Sequence, residues 1–250
     1  MKCRSAKYAI VALAAISIAL YSCSTKKNTA GSRFFQAFTT RYNVYFNGET
    51  HYEEELKKME EEYEDDYSDF IYLHPAESFA DEKATHPSSN FDRTIEKMQK
   101  AIALHSIQKK PKRNRSKMRD PKYREFLQRG EYNPFLHNAW RLMGEAQYLN
   151  GDFLGAAATF MYIERYFTWM PELITEAKIW QLRSYSALGW TNEAENVVAR
   201  LKPEELTNKR LKKLYNTAYG GFLVRTKQYA QAAPVLNAAV DATGGAQKTR

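Results

Sequence analysis

The side chains in this chain that most readily bind metals or act as nucleophiles are two cysteines and five histidines. The histidines lie at positions 51, 74, 86, 105 and 137, and their spacing is not typical of metal ligands. The residues after His51 are Tyr-Glu-Glu-Glu, without the second histidine of a zinc-protease motif. The sequence contains no glycine-rich phosphate loop and no Gly-x-Ser-x-Gly motif. We therefore expect no catalytic residue, metal site, cofactor or small-molecule substrate.

The cysteine at position 23 stands in a more informative context. Three basic residues precede a 14-residue run, Tyr8 to Tyr21, that is apolar except for one serine. The run is too short to cross a bilayer as a helix, which takes about 20 residues. Leu20-Tyr21-Ser22-Cys23 follows, with an apolar residue three positions before the cysteine and a small residue directly before it. This pattern resembles the cleavage box of bacterial lipoproteins.

The resemblance implies a lipoprotein signal peptide over residues 1–22 and a lipidated tether over residues 23–31. Cys23 would carry diacylglycerol and an N-acyl chain, which together give stable membrane anchoring. Ser24, in place of aspartate, favours the outer membrane, and Lys26 and Lys27, in place of acids, favour its periplasmic side. The alternative is an ordinary signal peptide in which Cys23 is incidental.

The second half of the chain repeats with a period of 38 residues. Gly151 to Ala156 resembles the turn and second-helix start of a tetratricopeptide repeat. Large and small residues recur at matching positions in three units: Ala156, Ala194 and Ala232; Phe160, Val198 and Leu236; Gly144, Leu182 and Gly220. We predict an all-α fold, a solenoid of tetratricopeptide-like helix pairs, with three repeats over residues 134–250. The register is least certain in the second unit, where Lys178 stands at the position of Trp140.

The first half is less regular and divides into a helical region, residues 32–106, and a basic linker, residues 107–133. Within the helical region, Asn47-Gly48 predicts a break between two helices. The predicted segments are a helix from Ser32 to Phe46, a helix capped by Thr50 and running to Tyr67, a loop from 68 to 90, and a helix from Phe91 to Ser106. A short helix from Tyr123 to Arg129 is compatible with the linker sequence.

Two blocks of charge stand out. Residues 53–69 contain ten acids and two lysines, and residues 109–129 contain ten basic residues and two acids. Mutual repulsion predicts that the basic segment is extended and mobile unless an anionic surface neutralises it. We expect it to dock electrostatically to an acidic protein, to anionic lipid headgroups or to the acidic helix. The alternative is a solvated loop, and the signal peptide argues against nucleic acid. The candidate docking residues are Lys109, Lys110, Lys112, Arg113 and Arg115.

The first helix of each repeat is expected to line a concave, partner-facing surface, as in other tetratricopeptide proteins. The register places six side chains where they face neither the core of their pair nor the next pair, so they are expected to be free for protein binding. The alternative is that they are merely solvated. The six are Asn138, Arg141, Glu145, Tyr148, Arg183 and Arg225.

The segment from Cys23 to Thr29 and the string Thr39-Thr-Arg-Tyr-Asn-Val-Tyr-Phe-Asn-Gly48 resemble one family in particular. These are the tetratricopeptide-repeat lipoproteins of the type IX secretion and gliding-motility apparatus of Bacteroidetes, the PorW/SprE type. The similarity continues through the acidic helix and Asp69-Phe-Ile-Tyr72 into the repeats. It implies a non-enzymatic outer-membrane scaffold that links a periplasmic ring component to the outer-membrane translocon.

Members of that family are longer, and no polar capping helix follows Gly244-Gly245, so we expect a shortened or fragment form. Two other functions remain open. One is an outer-membrane assembly lipoprotein of the BamD kind. The other is a glycan-binding lipoprotein of the SusD kind, which would expose aromatic rings to sugars.

Overall fold

The computed structural model describes residues 27–67 and 70–241, and this part of the chain is entirely helical and irregular structure. The predicted signal peptide and Cys23 lie outside the described residues. Helices of the N-terminal half are α1 (Ala30–Thr39), a π-helix (Thr40–Tyr45), α2 (Phe46–Glu62), a 3-10 helix (Pro75–Ala80), α3 (Asp92–His105), a 3-10 helix (Arg115–Lys117) and α4 (Pro121–Gln128). None of the described helices is long and apolar enough to cross a membrane.

The repeat half forms three helix pairs. The helices are α5 (Leu136–Leu149), α6 (Phe153–Tyr166), α7 (Pro171–Ala187), α8 (Thr191–Arg200), a 3-10 helix (Pro203–Glu205), α9 (Lys209–Arg225) and α10 (Tyr229–Asp241). The second helices of the three pairs begin at residues 153, 191 and 229, which are 38 residues apart. Neighbouring helices in the chain pack on one another. The predicted all-α solenoid and its period are confirmed.

The turn inside each pair also repeats. Gly151 and Gly189 have φ values of 79° and 71°, and Lys227, 38 residues further on, has a φ of 61°. An L-residue in this left-handed region is strained by contact between its Cβ and the backbone, whereas glycine is not. The third turn therefore keeps the backbone geometry of the first two with a residue that disfavours it.

The two helices of a pair approach through residues of complementary size. A Cβ atom at Gly144 would lie 2.7 Å from the Phe160 ring, so glycine makes room for phenylalanine. In the third unit, a Cβ atom at Gly220 would overlap Leu236 in the same way. The second unit reaches the same packing with two medium side chains, because Leu182 is buried in a cluster that the partly buried Val198 packs against. The paired side chains fill a similar space in each unit, and this explains why the 38-residue period is kept although the residues differ.

The predicted break at Asn47-Gly48 is wrong. Helix α1, the π-helix and α2 follow one another without interruption from Ala30 to Glu62. Gly48 is needed because α3 crosses at this point: a Cβ atom there would overlap the Met98 side chain. The Thr94 hydroxyl also donates a hydrogen bond to the Gly48 carbonyl oxygen at 3.2 Å. Thr50 caps nothing, since its hydroxyl donates to the Phe46 carbonyl oxygen inside the helix.

The predicted loop from 68 to 90 packs against the repeats. Its 3-10 helix contacts α5, and Ala76, Glu77 and Ser78 are buried. The side chain of His74 caps this helix, because its Nδ1 accepts a hydrogen bond from the Ala76 amide at 3.2 Å. Burial, and then the Arg183 charge, lower the pKa of His74 to about 3, so the ring is neutral and remains an acceptor. We name residues 70–81 the clamp loop.

Candidate functional site

The first helices of the repeats meet the clamp loop along one surface, which we name the inner face. It is formed by Arg141, Glu145 and Tyr148 of α5, Glu176 and Arg183 of α7, and Arg210 and Arg225 of α9. Five of the six residues predicted to share a surface are therefore brought together. Asn138 lies at the other end of α5, half-buried, and its amide donates to the Phe135 carbonyl oxygen at 3.2 Å.

Glu77 of the clamp loop is the centre of the inner face. The Tyr148 hydroxyl donates a hydrogen bond to Glu77 Oε1 at 3.1 Å. Arg225 Nη2 lies 3.2 Å from Oε2, and Arg183 Nη2 lies 4.0 Å from Oε1. One carboxylate thus joins the first helices of all three repeats. Removal of one partner from a buried ion pair of this kind strongly lowers the stability of the fold, because the remaining charge is buried without a partner.

Aromatic rings hold the Arg183 guanidinium in place. Its central carbon lies 4.6 Å from the ring centroids of both Tyr148 and Trp180. The two rings contact each other edge to face, with centroids 5.3 Å apart. An arginine between aromatic faces gains cation–π attraction, which is larger where water is excluded. Arg183 is therefore a fixed part of the core.

A second ionic cluster lies beside the first and contains Arg141, Glu145, Glu176 and Arg210. Arg210 forms a bidentate pair with Glu176, at 2.6 and 2.8 Å. Arg141 Nη1 lies 3.5 Å from Glu176 and 3.6 Å from Glu145. The Tyr52 hydroxyl of α2 donates to Glu145 Oε2 at 3.4 Å, which extends the cluster to the N-terminal region. The four charges connect α5, α7 and α9 a second time.

Glu145 is the titratable member of this cluster. Burial raises its pKa to about 7, against the opposing effect of Arg141, while the nearby Glu176 charge raises it further. A carboxyl whose pKa is higher in the folded state binds more protons when folded than when unfolded. Stability from this group is therefore greatest in acid and falls as the pH rises from the unfolded value of 4.5 through about 7.

The prediction that the six candidate protein-binding side chains are free is wrong for three of them. Glu145, Tyr148 and Arg183 are buried, and Arg141 and Arg225 are partly covered. The cause is the clamp loop and α2, which lie on the surface where a partner was expected. Sequence reasoning missed Glu77 because it lies in an irregular segment with no periodic signal. Glu176 could have been found, since it lies 38 residues after Asn138.

The two ends of the basic segment lie next to each other in the structure. The Glu131 carboxylate accepts hydrogen bonds from the Ile107 and Asn133 amides at 2.9 and 2.7 Å. The Tyr132 amide donates to the Ile107 carbonyl oxygen at 3.0 Å. The two ends of the predicted linker 107–133 are therefore joined at a buried neck. The intervening residues 108–130 form a loop that is closed at its base and has most of its side chains exposed.

Within the basic segment, the expected short helix is present as α4, which begins at Pro121 because the Asp120 carboxylate caps the Lys122 amide at 2.9 Å. The segment is thus not fully extended, contrary to the prediction. All five candidate docking residues are exposed. In the described part of the chain none of the five forms an ion pair, so the acidic helix is not their partner. The five are Lys109, Lys110, Lys112, Arg113 and Arg115.

Among the described residues, no group of three or more histidine, cysteine, aspartate or glutamate side chains is arranged to hold a metal ion. A surface pocket of about 580 Å³ lies between α3 and α5 and includes Lys109, Trp140 and Tyr162. Trp140 stacks on Tyr162 with ring centroids 4.1 Å apart, which joins α5 to α6. No family model matches the chain, and comparison with curated proteins gives no match. The family resemblance therefore stays a prediction from the sequence.

Proposed function

We propose that the chain is a lipid-anchored scaffold on the periplasmic side of the outer membrane, within the type IX secretion and gliding-motility apparatus. The observation that carries the proposal is the division of the solenoid surface. The inner face is closed by the clamp loop, while the second helices expose large apolar side chains. These are Leu154, Met161 and Tyr166 of α6 and Tyr229 and Val240 of α10. We name this set the outer face.

A stack of helix pairs presents a long, stiff surface, which suits the binding of proteins rather than of small substrates. The ionic clusters at Glu77 and Glu176 cross from repeat to repeat and so hold the spacing of the outer helices. Exposed apolar side chains are typical of interaction sites where they form one patch, and the outer face supplies five of them. The partners would be a periplasmic ring component and the outer-membrane translocon, contacted through the outer face.

The assignment to type IX secretion is supported by the string Thr39 to Gly48. Its residues form the joint between α1 and α2, where Tyr45 packs edge to face on Phe135 with centroids 5.0 Å apart. Tyr45 and Gly48 are buried in this joint, whereas Tyr42 and Phe46 are exposed. The string therefore combines residues that are buried where the continuous helix Ala30–Glu62 packs on the repeats with residues that stay exposed on that helix.

The test is a crosslinking pull-down of the tagged protein from its own membranes, with partners identified by mass spectrometry. The outer-face variant carries Leu154→Ser, Met161→Ser and Tyr229→Ser, and the control carries Leu104→Ser on α3, which is equally exposed. We expect wild type and control to recover secretion-system proteins and the outer-face variant to lose them. Recovery of outer-membrane assembly proteins, or equal recovery by all three, would contradict the proposal.

A further inference from the structure

The first helix after the lipidation box carries an exposed row of aromatic rings. Phe34, Phe35, Phe38, Tyr42 and Phe46 are each between 53 and 72% exposed. Four of them are spaced four residues apart along α1, the π-helix and the first residue of α2. The rings of Phe34 and Phe38 are 6.3 Å apart, and those of Phe38 and Tyr42 are 4.8 Å apart. We name these five residues the aromatic ridge.

The ridge is bordered by positive charge. The Arg41 guanidinium lies 5.3 Å from the Tyr42 ring and 5.8 Å from the Phe135 ring, at the edge of a groove of about 340 Å³. Residues 24–48 contain four basic residues and no acid. The first acid after this stretch, Glu49, lies beside Tyr42 and Phe46 at the far end of the ridge. Apolar rings with cations beside them are typical of helices that lie in the headgroup region of anionic membranes.

The basic segment is attached beside the start of the ridge. The Asn28 side-chain amide donates to the Lys109 carbonyl oxygen at 2.7 Å, and Arg33 donates to the Asn28 side-chain oxygen. The Arg33 guanidinium also lies 5.1 Å from the Phe126 ring of α4. The start of α1 and the basic segment are therefore held together, although Asn28 and Lys109 are 81 residues apart in the chain.

The distance to the lipidation site is short. Six residues lie between Cys23 and Ala30, so the chain from one to the other spans at most about 25 Å when fully extended. An acylated Cys23 would keep the start of α1 within that distance of the membrane surface. At this range, weak contacts are strengthened because their effective concentration is high.

We propose that the aromatic ridge and the basic segment form a membrane-binding face for anionic phospholipid. The rings enter the boundary between headgroups and acyl chains, and the cations of residues 109–129 lie over the headgroup phosphates. The orientation of the scaffold on the membrane is then set by this face as well as by the anchor. Its location rests on the proposed lipid anchoring, but the surface itself binds without the acyl chains.

The experiment uses residues 23–250 with Cys23→Ala, a chain that keeps every described residue and lacks the acyl group. It is sedimented with vesicles of phosphatidylethanolamine and phosphatidylglycerol, or of neutral phosphatidylcholine. The ridge variant is Phe34→Ser, Phe38→Ser and Tyr42→Ser, and the matched control is the outer-face variant, whose three residues are 51–60% exposed. Circular dichroism and thermal unfolding establish that all three chains are equally folded.

We expect the ridge variant to bind anionic vesicles at least about tenfold more weakly than wild type, because three of the rings that would leave water on binding are removed. Wild type should bind neutral vesicles about tenfold more weakly than anionic ones. The outer-face variant should bind as wild type does, although it loses protein partners. The ridge variant should lose vesicle binding and the outer-face variant should lose protein partners. The two measurements therefore distinguish a failure of this inference from a failure of the proposed function.

Two results would overturn the inference. One is equal vesicle binding by wild type and the ridge variant. The other is loss of crosslinked protein partners by the acylated ridge variant while its vesicle binding is unchanged, which would make the ridge a protein-docking surface.

Discussion

The inner face and the basic segment both contain arginines, but those of the inner face are paired with carboxylates, whereas those within residues 109–115 of the basic segment are exposed and form no ion pair in the described part of the chain. On the inner face, Arg183 is buried between aromatic rings near Glu77, and the buried Glu176 pairs with Arg210, whose own side chain is more than half exposed. In the basic segment, Lys109 to Arg115 project into solvent from a loop closed at its neck. Buried pairs lose several kcal/mol when one partner is removed, whereas exposed charges contribute little to stability. The inner face therefore supports the fold, and the basic segment is available for binding.

Removal of the central carboxylate should have the largest effect. Glu77→Ala leaves the buried Arg183 uncompensated and removes the acceptor of Tyr148, so we expect a loss of about 3 kcal/mol in the free energy of unfolding. Urea denaturation followed by circular dichroism measures it. The control is Glu82→Ala, an exposed residue just beyond the clamp loop, which should change stability by less than about 0.5 kcal/mol. A similar small change for Glu77→Ala would mean that the clamp loop does not support the inner face.

The pH dependence of stability should be the next largest effect. Glu145→Gln removes a carboxyl that binds its proton more tightly in the folded state than in the unfolded state, since burial raises its pKa to about 7. The unfolding free energy of the variant, relative to wild type, should therefore rise by about 2 kcal/mol between pH 4.5 and pH 7.5. Denaturation curves for both proteins across this range test the sign. A difference that stays constant with pH would show that the pKa of Glu145 is the same in the folded and unfolded states.

A smaller effect on stability is expected from substitutions in the repeat turns, which change neither the inner face nor the basic segment. Lys227→Gly relieves the left-handed strain in the third repeat turn and should stabilise the protein by about 1 kcal/mol. The reverse change in the second turn, Gly189→Lys, should destabilise it by a similar amount, because nothing lies near its Cβ position and only the backbone is strained. Thermal unfolding of both variants gives the comparison. Shifts of the same sign would contradict the shared turn geometry.

The smallest effect on stability is expected in the basic segment. Reversal of charge at Lys109, Lys110, Lys112 and Arg113 to glutamate should change the unfolding free energy by less than about 0.5 kcal/mol, because these residues are exposed and unpaired. The same variant should recover less of its complex in a pull-down at low salt, and high salt should reduce recovery by wild type. Equal recovery in all four samples would show that the segment does not hold protein partners.

Glycine shows where local sequence reasoning succeeds and fails. Gly151 and Gly189 stand at turns, and the 38-residue spacing places the third turn correctly although Lys227 fills it. Gly48 has the same local signature as a helix break, yet it lies within a continuous helix because α3 crosses there. A glycine that relieves backbone strain and one that makes room for a neighbour cannot be distinguished until the neighbour is known.

The sequence by itself determined the helix pairs of this protein, their 38-residue period and the positions of their turns. These features depend on residues within one or two helical turns of each other and on size matching inside a pair. Only the tertiary structure decided which surfaces are open. Glu77 reaches Arg183 and Arg225 across more than 100 residues of chain, and no periodic pattern encodes that contact. The clamp loop thereby closes the inner face, because burying its carboxylate is favourable only where arginines from two repeats converge.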